Sequence, residues 1–160
     1  MTLDIRQASL PELMALAPGL RDQDRAELAA TSFSDQPSDW LTSFDPAACY
    51  QQGYFWHHEL VAVCAAQQTH PGHYSLGFVA APSWLAASKP ISLHIRHQVK
   101  PQLVALGMRR ATALSLASHS QGHRWMGFLG MRQEAELKSY GKNGEDFLIF
   151  GLNIEQQERA

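Results

Sequence analysis

Apolar and polar positions along this chain fall into short blocks with clear breaks between them. LDIRQAS sets Leu3 and Ile5 against Asp4 and Arg6, a period of two that predicts a half-buried first strand. Ser9 is placed to cap a short helix through LPELMAL, with Pro11 in its first turn, and Pro18-Gly19 breaks it. RDQDRAELAATS predicts a second helix. Its less polar positions are Leu20, Ala26, Leu28 and Ala29, and Asp24 and Arg25 read as surface charges. A third short helix is expected from about Ser38, in SDWLTSF. CYQQGYFWH and LVAVCAAQ read as strands joined by a turn near HHE, and HPGH turns the chain into YSLGFVAAP. Links this short predict antiparallel neighbours in a meandering sheet.

SKPISLHIRHQVKPQLVALG is the longest helix expected. Ser88 would accept its first N–H, and Pro90 is tolerated in its first turn. Ile91, Ile95, Val99, Leu103 and Leu106 recur at helical steps as an apolar stripe. Pro101 removes a hydrogen bond and predicts a kink, and Gly107 ends the helix. RRATALSLA reads as a strand. In SHSQGHRWMGFLGMR, Gly122, Trp125, Met126 and Leu129 share one helix face. Gly130 takes the left-handed position beyond its end, which brings Met126 and Met131 together. EAELKSYG and EDFLIFGLNI finish the pattern as two strands around a Gly-Lys-Asn-Gly turn. The order βααα-βββ-α-β-α-ββ predicts an α/β fold: one mixed, mostly antiparallel sheet with helices on its faces, in a single domain over residues 1–160.

Composition narrows the function classes. A chain of 160 residues with 45% apolar content can bury a core. Its net charge of −2, with no basic run longer than Arg109-Arg110, lacks the basic face of a nucleic-acid binder. No apolar run reaches the length of a membrane span, and MTLDIRQ has no apolar core of a signal peptide. Two cysteines, Cys49 and Cys64, make neither a disulfide framework nor a four-thiolate zinc site, and a reducing, cytoplasmic setting is expected.

Eight histidines raise the question of a metal. His119 and His123 are four apart and His94 and His97 three apart, but each is only a pair, and no Glu follows His119 as in H-E-x-x-H. No metal site is expected. Cys64 lies in the apolar run VAVCAA, and Ser115 and Ser118 have no G-x-S-x-G context. Glu59, His73 and Tyr74 sit near turns, and no catalytic residue is assigned. Tyr54, Phe55 and Trp56 are expected to pack. Trp84 is a candidate to plug a groove beside the strand YSLGFVAAP.

The order of elements, the ending FLGM at 128–131 and the strand YSLGFVAAP resemble the GNAT fold of N-acyltransferases. The resemblance implies that the backbone of Phe78, Val79 and Ala80 pairs with the pantetheine arm of acetyl-CoA. It also implies that Ser88 and Lys89 lie at the pyrophosphate, and that His119 stands where the family often has Asn. SWLAASKPISL carries none of the glycines of the family's phosphate loop, and Met126 stands at the position of its common Tyr general acid. The pattern also resembles GNAT-like proteins of tailed bacteriophage virions, including an internal protein of short-tailed phages. That resemblance implies a virion-associated assembly protein made in the host cytoplasm, with no cofactor. Its partners would be other virion proteins (portal, tail or internal core components) or a second copy of itself. The alternative implied by the same fold is an acetyl-CoA-dependent N-acetyltransferase with an atypical phosphate-binding loop. A cellular binding module is a third class.

Overall fold

Strand β1 (Leu3–Arg6) alternates half-buried and exposed side chains, as its sequence does. The computed structural model describes residues 2–155. After β1 come α1 (Leu10–Leu16), a 3₁₀ turn at Ala17–Gly19, α2 (Asp22–Ala30), α3 (Pro37–Trp40) and a second 3₁₀ turn at Thr42–Phe44. Strands β2 (Tyr50–Trp56), β3 (Glu59–His70) and β4 (His73–Ala80) follow. A 3₁₀ segment at Pro82–Ala87 leads into α4 (Ser88–His94), a π-wound stretch at Ile95–Val99 and α5 (Lys100–Ala105). The described chain finishes with β5 (Arg110–Leu116), α6 (Ser120–Phe128), β6 (Arg132–Leu137) and β7 (Phe147–Asn153). The strands make one seven-stranded mixed sheet in the order β1-β2-β3-β4-β5-β7-β6. The β4–β5 pair is parallel, and β1–β2, β2–β3, β5–β7 and β6–β7 are antiparallel. Two compact units share the chain: residues up to Gln67 with Gly77–Ile91, and Gln68–Leu76 with the chain from Ser92 on.

In the first unit, α1 begins with a complete capping box. The Ser9 hydroxyl accepts the Glu12 N–H, and the Glu12 carboxylate accepts the Ser9 N–H at 2.8 Å. Arg6 also donates to Glu12, at 2.7 Å, tying β1 to the helix start. β1 leaves its partner β2 after the Arg6↔Gly53 pair. Continuing that register would set Ala8 opposite Gln51. There the Gln51 side chain replaces the ladder: its Oε1 accepts the Ala8 N–H at 2.7 Å, and its Nε2 donates to Ala8 O at 3.0 Å. The same Nε2 donates to Phe44 O at 2.7 Å. Gly53 makes room for the departing chain, since a Cβ there would lie 2.9 Å from Arg6 O. Phe44 in turn lies on β4, where a Cβ at Gly77 would meet its ring at 2.9 Å. Leu13, Leu16, Leu41, Phe55, Val63 and Val79 complete a buried apolar cluster with Phe44.

The second unit repeats one helix ending twice. After α5, Gly107 (φ +103°) passes its N–H to Val104 O at 3.0 Å, and Met108 passes its own to Leu103 O at 2.9 Å. After α6, Gly130 (φ +94°) bonds Gly127 O and Met131 bonds Met126 O, each at 3.0 Å. Both are Schellman closures built on the tripeptide Leu-Gly-Met, with Leu103, Met108, Met126 and Met131 all buried. The expected contact of Met126 with Met131 is therefore present, and Leu106–Met108 turns out to be its twin. Leu106, expected in the apolar stripe, is 60% exposed because it forms the cap beyond the last helical turn, and Met108 takes the interior place. Pro101 does not break the helix. The preceding π-wound turn widens the backbone, with Lys100 N–H donating to Ile95 O, so the carbonyls facing the proline ring are displaced. The β6–β7 connection is longer than the expected Gly-Lys-Asn-Gly turn. It is organised by Asp146, which accepts the Ser139 N–H at 2.8 Å and the Lys138 ammonium at 3.2 Å.

Two predictions follow from the first unit. Replacing Gln51 by Leu strands the Ala8 N–H and the Ala8 and Phe44 carbonyls in a dry interior and is expected to cost at least about 2 kcal/mol. A urea unfolding midpoint unchanged from the parent would refute this. Hydrogen bonding from Arg6 holds the Glu12 carboxylate down at about pKa 2. A folded-state value below the unfolded one, about 4.3, adds stability above that range, and it is lost as pH falls through about 2. Glu12→Gln is expected to lower the Tm near neutrality and to flatten its fall between those limits. Parallel Tm-versus-pH curves for the two proteins would show that the account is wrong.

Candidate functional site

The β4–β5 ladder is short: only His73–Ser75 pair, with Arg110–Thr112. Gly77–Ala80, the C-terminal half of β4, belongs to the first unit. At its end the Ala81 N–H donates to Val61 O on β3, at 2.9 Å. Successive residues of an extended strand present their backbone groups to opposite edges, so those of Ala80 face away from β3. There α2 meets them. The Arg21 N–H donates to Ala80 O, and the Ala80 N–H donates to Asp24 Oδ2, both at 2.8 Å. Asp24 also accepts two hydrogen bonds of 2.9 Å from the Arg21 guanidinium. That guanidinium lies 5.2 Å from the Trp84 ring and 5.8 Å from the Phe78 ring, and the two rings meet edge to face at 5.1 Å.

Asp24 is therefore no surface charge. It is 2% exposed, because it alone among α2's polar side chains reaches the strand end. Burial pushes its carboxyl above the usual carboxylate range, against the pull of Arg21 and the Ala80 N–H. Neither Arg21 nor Asp24 stands out in RDQDRAEL, where charges recur at every turn. Trp84 is buried in the first unit against Phe78 and Arg21, and Val79 is buried in the apolar cluster.

The segment after β4 contains the positions expected at a phosphate. Ser88 does not cap the long helix: its own backbone is already helical, and its hydroxyl donates to Leu85 O at 3.0 Å. The helical run starts six residues earlier, at Pro82. Trp84 and Ser88 pass their N–H groups to Ala81 O and Leu85 O, so these donors serve the 3₁₀ winding instead of forming an open anion nest. Lys89 is exposed beside them.

In the second unit, His119 is the N-cap residue of α6. Its ring covers Gly122, where a Cβ would come within 2.9 Å of it. Met126 is buried, and Trp125 donates its indole N–H to Ser92 Oγ at 2.9 Å. His123 Nε2 lies 2.9 Å from Leu116 O and 3.2 Å from Ser115 Oγ. A nitrogen donating to a carbonyl has no lone pair left for the hydroxyl, so His123 and Ser115 are not a base–nucleophile couple. His73 stacks on His70 at 4.9 Å and meets Thr69 and Thr112 through its two ring nitrogens, at 2.5 and 3.1 Å. Burial, with smaller contributions from His70 and Arg110, lowers the His73 pKa and favours the neutral ring. Among the described residues, no group of three or more His, Cys, Asp or Glu is placed to hold a metal ion. None of their helices is long and apolar enough to cross a membrane.

No protein-family model matches the sequence, and no curated protein matches it. Solved structures do. The ribosomal-protein-S18-alanine N-acetyltransferase of Escherichia coli superposes with a TM-score of 0.72 at 15% identity, over 96% of this chain and 94% of that one. An N-acetyltransferase from Staphylococcus aureus Mu50 gives 0.73 at 14%, over 96% and 99%. A GNAT superfamily phosphinothricin acetyltransferase from Sinorhizobium meliloti, solved in complex with AcCoA, gives 0.70 at 14%, over 96% and 89%. The chain thus has the GNAT fold, one mixed sheet of seven strands with helices. The expectation of a cofactor-free phage virion assembly protein is corrected by these neighbours. They are acetyltransferases, one of them holding AcCoA, and nothing in them points to a virion.

Both cysteines are free thiols. Cys64 is buried, its sulfur 3.5 Å from the Tyr54 hydroxyl, and burial pushes its pKa up to about 11. At about pH 8 only a trace is thiolate. Iodoacetamide is expected to leave Cys64 unmodified in the native protein and to alkylate it in denaturant, as read by peptide mass spectrometry. Equal labelling in both states would contradict this burial.

Proposed function

We propose that this protein is an acetyl-CoA-dependent N-acyltransferase. The observation that carries the reading is the fold, shared over nearly the whole chain with an acetyltransferase solved in complex with AcCoA. The short β4–β5 ladder agrees with it, because the strand that would lie along the cofactor is released from its parallel neighbour after Ser75. Acetyl-CoA would supply a thioester to an amine: a C–N bond would form at its carbonyl carbon as the C–S bond breaks, and the proton lost by the amine would balance the departing thiol.

The backbone from Phe78 to Ala80 would run beside the cofactor's arm, and Ser88 and Lys89 would stand at its phosphates, where the exposed ammonium of Lys89 suits an anion. His119, with its ring folded over the first turn of α6, is the remaining position that the resemblance assigns to the cofactor. Met126 carries no transferable proton, so at that position the chain would contribute packing and positioning rather than acid catalysis. Two features fit the cofactor less directly: the N–H groups used within Pro82–Ala87, and the backbone of Ala80, already bonded to α2.

Calorimetry with acetyl-CoA, followed by thiol release against a panel of primary amines including N-terminal alanine peptides, tests the proposal. Saturable binding and coenzyme A released in step with an acetylated amine are expected. The masked Cys64 adds little background to the thiol readout. An absence of binding up to about millimolar acetyl-CoA, weaker than about −4 kcal/mol, would overturn it.

A further inference from the structure

Building on the acyl-CoA reading, we infer that the first turn of α2 is a displaceable plug on the edge of β4. Arg21 and Asp24 hold the backbone pair at Ala80 that the amide-bearing arm of an acyl-CoA would take, so ligand binding requires that turn to leave the strand.

Three observations carry this. The first is direction. Since the Ala81 N–H is bound to Val61 on β3, the Ala80 groups present themselves to the edge away from β3, the edge where an incoming extended ligand would add. The second is chemical mimicry. A secondary amide lying alongside a strand offers one carbonyl acceptor and one N–H donor. Asp24 Oδ2 and the Arg21 N–H offer that same pair, each at 2.8 Å from Ala80. The two occupants are mutually exclusive.

The third is how lightly α2 is attached. Of its nine residues only Asp24 and Ala30 are buried, and Arg21 gives the helix no side-chain cap. The chain enters through Gly19, around which a Cβ would find nothing within 4 Å. Leu20, just before, is buried in the apolar cluster and would stay as the pivot; beyond it, the polar bonds to Ala80 and the stacking of Arg21 near Phe78 and Trp84 hold this turn. Moving it into water also returns solvent to a carboxylate that is 2% exposed when docked.

Hydrogen–deuterium exchange on the full chain, with and without saturating acetyl-CoA, reads the plug directly. The Arg21 amide, bonded to Ala80 O, and the Arg25 amide, bonded to Arg21 O, are expected to exchange at least about tenfold faster in the complex, while Ala80 stays protected by its new partner. Asp24→Asn keeps an oxygen for the Ala80 N–H but removes the ion pair. It is expected to raise the open fraction and bind acetyl-CoA about tenfold more tightly by calorimetry. A complex in which the Arg21 and Arg25 amides keep their protection, or an Asn variant that binds no more tightly, overturns the plug while leaving the acyl-CoA reading intact. No binding by either protein overturns both.

Discussion

Where a strand leaves its neighbour inside an apolar interior, its N–H and C=O groups must still be bonded, and the first unit is built around that requirement. β1 parts from β2 at Gly53, and the amide of Gln51 takes over as a one-residue strand partner for Ala8. The same amide fixes the carbonyl of Phe44, whose ring lies on Gly77 of β4. A single side chain therefore joins the edge strand, the turn before β2 and the packing surface over the central strand. Phe44 is positioned by polar bonding before it contributes apolar contact. Replacing the central glycine by any larger residue would push that ring away.

β4 meets the same requirement at Ala80 with different atoms, a backbone N–H and a carboxylate from α2. The two solutions differ in cost. A neutral amide can be buried with little penalty once its hydrogen bonds are made. A carboxylate needs its counter-ion as well, and Arg21 supplies it from the residue just before the helix.

Local chemistry explains what the sequence made legible. The cap at Ser9, the breaks at Pro18-Gly19 and Gly107, the turn at Gly72 and the closure at Gly130 are settled by residues adjacent in the chain, and all of them stand where the pattern put them. Alternation counted back from Phe55 through Gly53 also places Gln51 inward, although not what it bonds. Asp24 was illegible because its partner lies 56 residues away on β4, and nothing within α2 distinguishes it from Asp22. Ser88 misled for a related reason: the residues before it wind into a 3₁₀ turn, so a residue with the chemistry of a cap sits inside a helix. The elements and their order could be read from the chain, while the bonds at the end of β4 depend on which strand end runs short of partners.

The twin Leu-Gly-Met closures carry a consequence for how this chain tolerates length change. β6 begins at the residue after Met131 and β5 two residues after Met108, and each closure is locked by a buried methionine. Because side chains alternate faces along a strand, one residue inserted between Met108 and β5 would move Ala111 and Ser115 from the buried face to the other. The first of the two tripeptides therefore acts as a reading-frame mark for β5. β6, exposed along most of its length and already shifted in register between Gln133 and Ala135, has no such frame to lose.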